Sequence, residues 1–252
     1  MNTNITSLHI INKRQNALID KVILVTGAGA GIGRAVALEC ARQGATVVLL
    51  GRTIKKLEKV YDEIVALGKQ IPSIYPMDLL GADEKHHEQL AEIIHQEYGR
   101  LDGLLHNASI LGSLTPIAQY DAAQWQKVMH VNVTAQFVMT KALLPVLLKS
   151  DRASVLFTSS SVGRQGRAYW GAYSVSKFAT EGMMQVLADE FENSDNIRFN
   201  SINPGATHTS MRLSAYPAED KTKIAKPEDI VDPYVYLLSD ESNENGHMFN
   251  AQ

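Results

Sequence analysis

The chain has 252 residues and a formal net charge of −3, with 24 basic against 27 acidic side chains; 45% of it is hydrophobic and 20% charged. That is the composition of a soluble globular protein with enough apolar mass for a large core. No block of like charge stands out, which argues against nucleic acid or an anionic membrane surface as a partner. Cys40 is the only cysteine, so no internal disulfide can form, as suits a reducing compartment. The first twenty residues lack the charged start, apolar middle and small-residue exit of a secretory signal, and no segment reaches the ~18 apolar residues of a membrane span. A cytoplasmic protein is expected.

Residues 1–20 read as an irregular lead-in, and a single domain is expected over 21–252. Residues 22–26 are an unbroken apolar run that stops at glycine. Runs of the same kind recur at 45–50, 104–106, 154–158 and 198–202. Between them the pattern turns helical, over 32–43, 54–67, 84–98, 122–148 and 172–192. Apolar runs without polar alternation suit parallel strands covered on both faces. Strand and helix in alternation imply right-handed crossovers and an α/β fold, a doubly wound Rossmann-type parallel sheet with helices on both faces. In such a sheet, ligands bind beyond the carboxyl ends of the strands, where strand order reverses.

The first strand leads into Thr26-Gly27-Ala28-Gly29-Ala30-Gly31-Ile32-Gly33 and then a helix. Glycines there allow a sharp turn and close backbone approach, and the helix start offers free N–H groups and a positive dipole end to a pyrophosphate. At the end of the second strand stand Gly51, Arg52 and Thr53, with no acid to bind both ribose hydroxyls of NAD(H). Arg52 suits a 2′-phosphate, so NADP(H) is expected over NAD(H); the alternative is that Arg52 merely tops a surface loop. Arg34 either adds positive potential or is an exposed helix residue.

After the strand at 154–158 come Ser159, Ser160 and Ser161, and Tyr173 and Lys177 follow on a helix. Four residues apart, the last two share a helix face. A nearby ammonium and the cationic nicotinamide would lower the tyrosine's pKa from about 10. Ser160 could bond the substrate oxygen. Asn132, polar within an apolar helical run, suggests a specific task, such as holding a water linked to Lys177.

Together these pieces resemble the short-chain dehydrogenase/reductase family in its single-domain branch. The matching motifs span almost the whole chain: the glycine turn at 26–33, Asp78-Leu79, His106-Asn107-Ala108, Asn132, Ser160, Tyr173 with Lys177, and Asn203-Pro204-Gly205. Within the family, residues 157–168 and 176–190 resemble a bacterial subgroup, the YciK-type oxidoreductases. The resemblance implies that Gly27, Gly31 and Gly33 line the pyrophosphate, with Gly29 and Ile32 in the same turn. It implies that Asp78, followed by Leu79, bonds the adenine, that Asn107 supports the loop beside the cofactor, and that Thr207 and Thr209, after Pro204 and Gly205, touch the nicotinamide side. Tyr173 would be general acid or base, Lys177 would bind the nicotinamide ribose and tune Tyr173, Ser160 would polarise the carbonyl, and Asn132 would complete a proton relay. Ser109 departs from the family's glycine at that position and would shift the loop beside the nicotinamide.

The expected reaction is hydride transfer between NADP(H) and a small-molecule carbonyl or alcohol; the competing expectation is an NADP(H)-binding sensor or scaffold with weak or no catalysis. Arg164 and Arg167 border the site and are read as solvent-facing in preference to clamps on a substrate anion. Trp170 is read as a pocket wall and the polar segment 208–226 as a mobile lid. His86, His87, His95 and His106 show no metal-ligand spacing. The helical stretches near 121–148 and 172–192 carry surplus apolar residues, and the family pairs these helices across a two-fold axis, so a homodimer or homotetramer is expected.

Overall fold

The continuous apolar runs are the central strands, and both of their faces are covered. The computed structural model describes residues 5–7 and 15–252. In chain order the strands are β1 (Ile5–Ser7), β2 (Val22–Thr26), β3 (Thr46–Gly51), β4 (Ser73–Pro76), β5 (Gly103–His106), β6 (Ala153–Thr158), β7 (Ile197–Asn203) and β8 (Met248–Asn250). They form one parallel sheet in the order β1-β8-β7-β6-β5-β2-β3-β4. Along β2, Ile23 and Val25 join the core on one side of the sheet while Val22 and Leu24 join the other. Alternation is present in space, but both faces are apolar, so the sequence reads as unbroken.

Helices α1 (Gly31–Arg42), α2 (Ile54–Val65) and α8 (Val231–Leu238) contribute to the first core layer. The second is covered by α3 (Glu84–Tyr98), α5 (Ala135–Leu147) and α6 (Gly171–Glu190). Helix α3 has the expected limits because Asp83 and His86 close a capping box at its start. The helix expected over 122–148 is interrupted: α4 (Ala122–Met129) passes into a π-helical turn at His130–Thr134 before α5 begins. Such turns are rare and concentrate at functional sites.

Three strands have no counterpart in the apolar runs. β4 is a four-residue edge strand containing Pro76, and β8 has three residues; both are too short for a readable period. β1 corrects the irregular lead-in, since Ile5–Ser7 pairs in parallel with β8. The exposed row of backbone groups along β8 is what it satisfies; residues 1–4 and 8–14 of that lead-in lie outside the described residues. Strand order reverses between β2 and β5, so the carboxyl ends of those strands open the crevice in which a ligand is expected.

Candidate active site

The crevice consists of two cavities, of about 490 and 350 Å³, that share Gly27, Ala30, Ala108 and Ser109 in their walls. Between them runs the glycine turn. Gly31 opens α1 at φ +56°, in the left-handed region that favours glycine. Ala30, at the N-cap, supplies no side-chain acceptor, and the first turn contains no acid. The helix's free N–H groups are therefore left for something else, and they face the crevice. Gly33 is a correction: it lines neither cavity, and a Cβ on it would fall 2.3 Å from the Gly27 carbonyl oxygen. It lets the helix pack against the turn instead of lining the pyrophosphate.

The smaller cavity takes Gly29, Arg52, Asp78 and Leu79 into its wall. Lys56, one turn into α2, stands with Arg52 there, a cation missed in the sequence because its i+4 spacing from Arg52 crosses a helix start. Arg34 is not free to contribute positive potential. It is held by Glu63 and by Glu228, at 3.3 Å from the latter.

Around the larger cavity stand Gly27, Gly31, Ile32, Asn107, Ser160, Tyr173, Lys177, Pro204, Gly205, Thr207 and Thr209. Thr26 orders the loop after β5: its hydroxyl accepts from the N–H groups of Asn107 (2.9 Å) and Ala108 (3.0 Å), and the Asn107 side chain donates to the Thr26 carbonyl. Ser109 has no positive φ, so serine sits at that position without strain. Thr209 caps α7 (Ser210–Ala215) and lies over Gly31. Thr207 is buried, its hydroxyl donating to the Pro204 carbonyl at 3.2 Å.

Ser160 caps a short turn, Ser161–Gly163, and shares the cavity wall with Tyr173. Burial pushes the Tyr173 phenol up to about 12, with the neighbouring Ser160 side chain acting against it. Loss of solvation is the main cause, and the Lys177 ammonium lies 5.6 Å from the ring centroid. Lys177 is wholly buried, donates to the Thr158 carbonyl at 2.7 Å, and is pushed down to about 8 by burial while Glu181 opposes the shift.

Asn132 lies in the π-helical turn, away from the cavity wall. Its amide accepts from Ile110 N–H at 2.8 Å and donates to the Ile110 carbonyl and to Ser176. Both donors are occupied, so this side chain clamps the loop beside the site. Arg164 is also a correction, being neither solvent-facing nor a substrate clamp. It pairs with Glu181 at 2.9 Å and donates to Asn250 and to the Phe249 carbonyl. Trp170 does form cavity wall, against Tyr173 and Tyr216. His106 is buried, stacked on Phe157 and bonded to Thr140. Among the described residues no group of three or more His, Cys, Asp or Glu is placed to hold a metal ion, and no helix is long and apolar enough to cross a membrane.

A parallel sheet with a glycine turn at its switch point and a serine, tyrosine and lysine beyond its central strands defines a class of oxidoreductases. The short chain dehydrogenase family model matches residues 21–220, and the chain belongs to that family. It is 52% identical to the oxidoreductase YciK of Escherichia coli K12 over 95% of this chain and 94% of that one. Two solved short chain dehydrogenases are each 53% identical, with TM-scores of 0.92, covering 95% of this chain and 100% of theirs. One, from Shigella flexneri 2a, is complexed with NADP, and the other, from Escherichia coli CFT073, with NADPH.

Proposed function

We propose that the chain is an NADP(H)-dependent oxidoreductase that interconverts a small-molecule carbonyl and alcohol, with Tyr173 as general acid and base. The observation that carries the reading is the buried tyrosine, beside Ser160 and Lys177 in the wall of a crevice whose other part holds Arg52 and Lys56. The residues fit a phosphorylated dinucleotide. An uncapped helix start faces the crevice, and two cations stand where a 2′-phosphate would lie. Relatives of half-identical sequence bind NADP or NADPH. When bound, the nicotinamide supplies or accepts the hydride.

The chain's own groups do the rest. With its pKa at about 12, Tyr173 keeps its proton at neutral pH and is a loaded acid for carbonyl reduction. It donates that proton to the substrate oxygen as negative charge develops there, while the Ser160 hydroxyl donates to the same oxygen. Lys177, charged below about pH 8, binds the nicotinamide ribose. Asn132 keeps the loop at Ile110 in place. A binding-only role had Ser109 as its one support in the sequence; its φ is not positive, which weighs for the enzyme reading. We further propose that the protein works in the cytoplasm as a homodimer or homotetramer.

The test is NADPH oxidation against aldehydes, ketones and quinones. Tyr173→Phe should cut turnover by about 10²-fold or more while NADPH binding persists. Tight NADPH binding with no turnover of any carbonyl by the native protein rules the enzyme reading out. Separately, Arg52→Ala should erode the preference for NADPH over NADH by about tenfold or more; equal affinity for the two in the native protein would refute the assignment of Arg52.

A further inference from the structure

The cavity beside Tyr173 contains a guanidinium that no acid claims. Its wall carries three cations, Lys177, Arg212 and Arg167, and no aspartate or glutamate. Lys177 is buried and bonded to the Thr158 carbonyl. Arg212 is held through two nitrogens by Glu219 and lies over the Tyr216 ring, 3.9 Å from its centroid. Arg167 is exposed and has a neutral partner: Nη1 donates to the Tyr216 hydroxyl at 3.2 Å.

The rings give the cavity a polarity along its length. Tyr173 and Trp170 have centroids 5.8 Å apart, and Trp170 and Tyr216 are also 5.8 Å apart. Arg167 bonds the hydroxyl of the last of these rings. Contact by contact, Trp170 and Tyr216 thus connect Tyr173 to the guanidinium. The Arg167 bond also joins the loop before α6 to the segment after α7, so an anion there would bridge the two loops.

We propose that the substrate is a carbonyl compound with an apolar middle and an anionic oxygen group, carboxylate or phosphate monoester, at its far end. Arg167 takes the anion, and Trp170 and Tyr216 flank the middle. This rests on the reading of the site as a carbonyl reductase and adds its substrate class. The planar fork of arginine matches both anions. A wall without acids leaves the ligand no like charge to meet, and the aromatic surfaces reward an apolar body over a purely polar one.

Reduction of 4-carboxybenzaldehyde and 4-formylphenyl phosphate by NADPH is compared with that of neutral methyl 4-formylbenzoate, in the native protein and in Arg167→Gln. One or both anions should exceed the ester in kcat/KM by about tenfold, and which does so separates carboxylate from phosphate. The margin should collapse in Arg167→Gln, with an unchanged NADPH dissociation constant showing that the variant is folded. An ester used as well as both anions, or a margin that survives in the variant, overturns the proposal. Calorimetric titration of the NADP-loaded protein with benzoate, phenyl phosphate and benzamide keeps this distinct from the reductase reading. If none of these aldehydes turns over, the reductase reading is decided by the wider carbonyl screen, and the binding margin of anion over benzamide, present in the native protein and lost in Arg167→Gln, decides the anion site alone.

Discussion

Tyr173 and Lys177 sit on one helix face, and burial moves them in opposite directions, the phenol up to about 12 and the ammonium down to about 8. Both shifts favour the neutral form, as desolvation requires. The pH consequence comes from the lysine. Its pKa lies below its ordinary value, so the charge proposed to bind the ribose is present below about pH 8 and is lost above it. kcat/KM for NADPH in the reductive direction, which reports the free protein, should fall as pH rises past about 8. Tyr173, still protonated there, adds no second limb below pH 10. A flat profile between pH 7 and 9 would contradict the role given to Lys177. The helix-face pairing could be read from spacing; the sign of the tyrosine's shift could not, because burial depends on what the rest of the chain stacks over the ring.

Among the elements, the segment between β6 and α6 illustrates how sequence position misleads. Arg164 and Arg167 are three residues apart in a loop bordering the site, and composition treats them alike. The fold sends the first inward, onto Glu181 of α6 and the backbone of β8, and leaves the second in the cavity wall. The Arg164 and Glu181 side chains are only 10% and 6% exposed, so removing one leaves the other's charge buried without its hydrogen-bonded ion partner. Arg164→Ala should therefore destabilise the protein by about 3–5 kcal/mol, measured by urea unfolding; a loss under about 1 kcal/mol would mean that Glu181 is rehydrated or protonated at little cost. The broken helix at His130–Thr134 teaches the same lesson. An apolar period of 3.6 continues through it, while the π turn aims Asn132 at Ile110, a contact that no local pattern encodes.

At the scale of the molecule, apolar side chains remain exposed on the two helices expected to pair. Phe137 on α5 and Val175, Phe178 and Val186 on α6 point outward. Exposed apolar side chains of this size suit the oligomer proposed above, in which a two-fold contact would bury them twice over. Phe178→Glu would place a charge in that contact and should shift the protein toward monomer in light scattering coupled to size exclusion. An unchanged mass, or a native protein that is already monomeric, would contradict the oligomer proposed on this face.

What the sequence determined by itself was the class of fold and which residues would meet in the crevice. Buried parallel strands must be apolar on both faces, a turn against a pyrophosphate must be glycine-rich, and a tyrosine and a lysine four apart must share a helix face. Each constraint acts within a few residues and is written locally. Tertiary structure decided which cations are spent and which are free. Arg34, Arg164 and Arg212 each found an acid distant or hidden in sequence, whereas Arg167 and Lys56 were left in the cavity walls. It also decided that Gly33 packs against the glycine turn, that Ile5–Ser7 completes a sheet edge, and that Tyr173 is buried. Those outcomes depend on desolvation and on pairing between distant segments, and both exist only once the chain has closed around them.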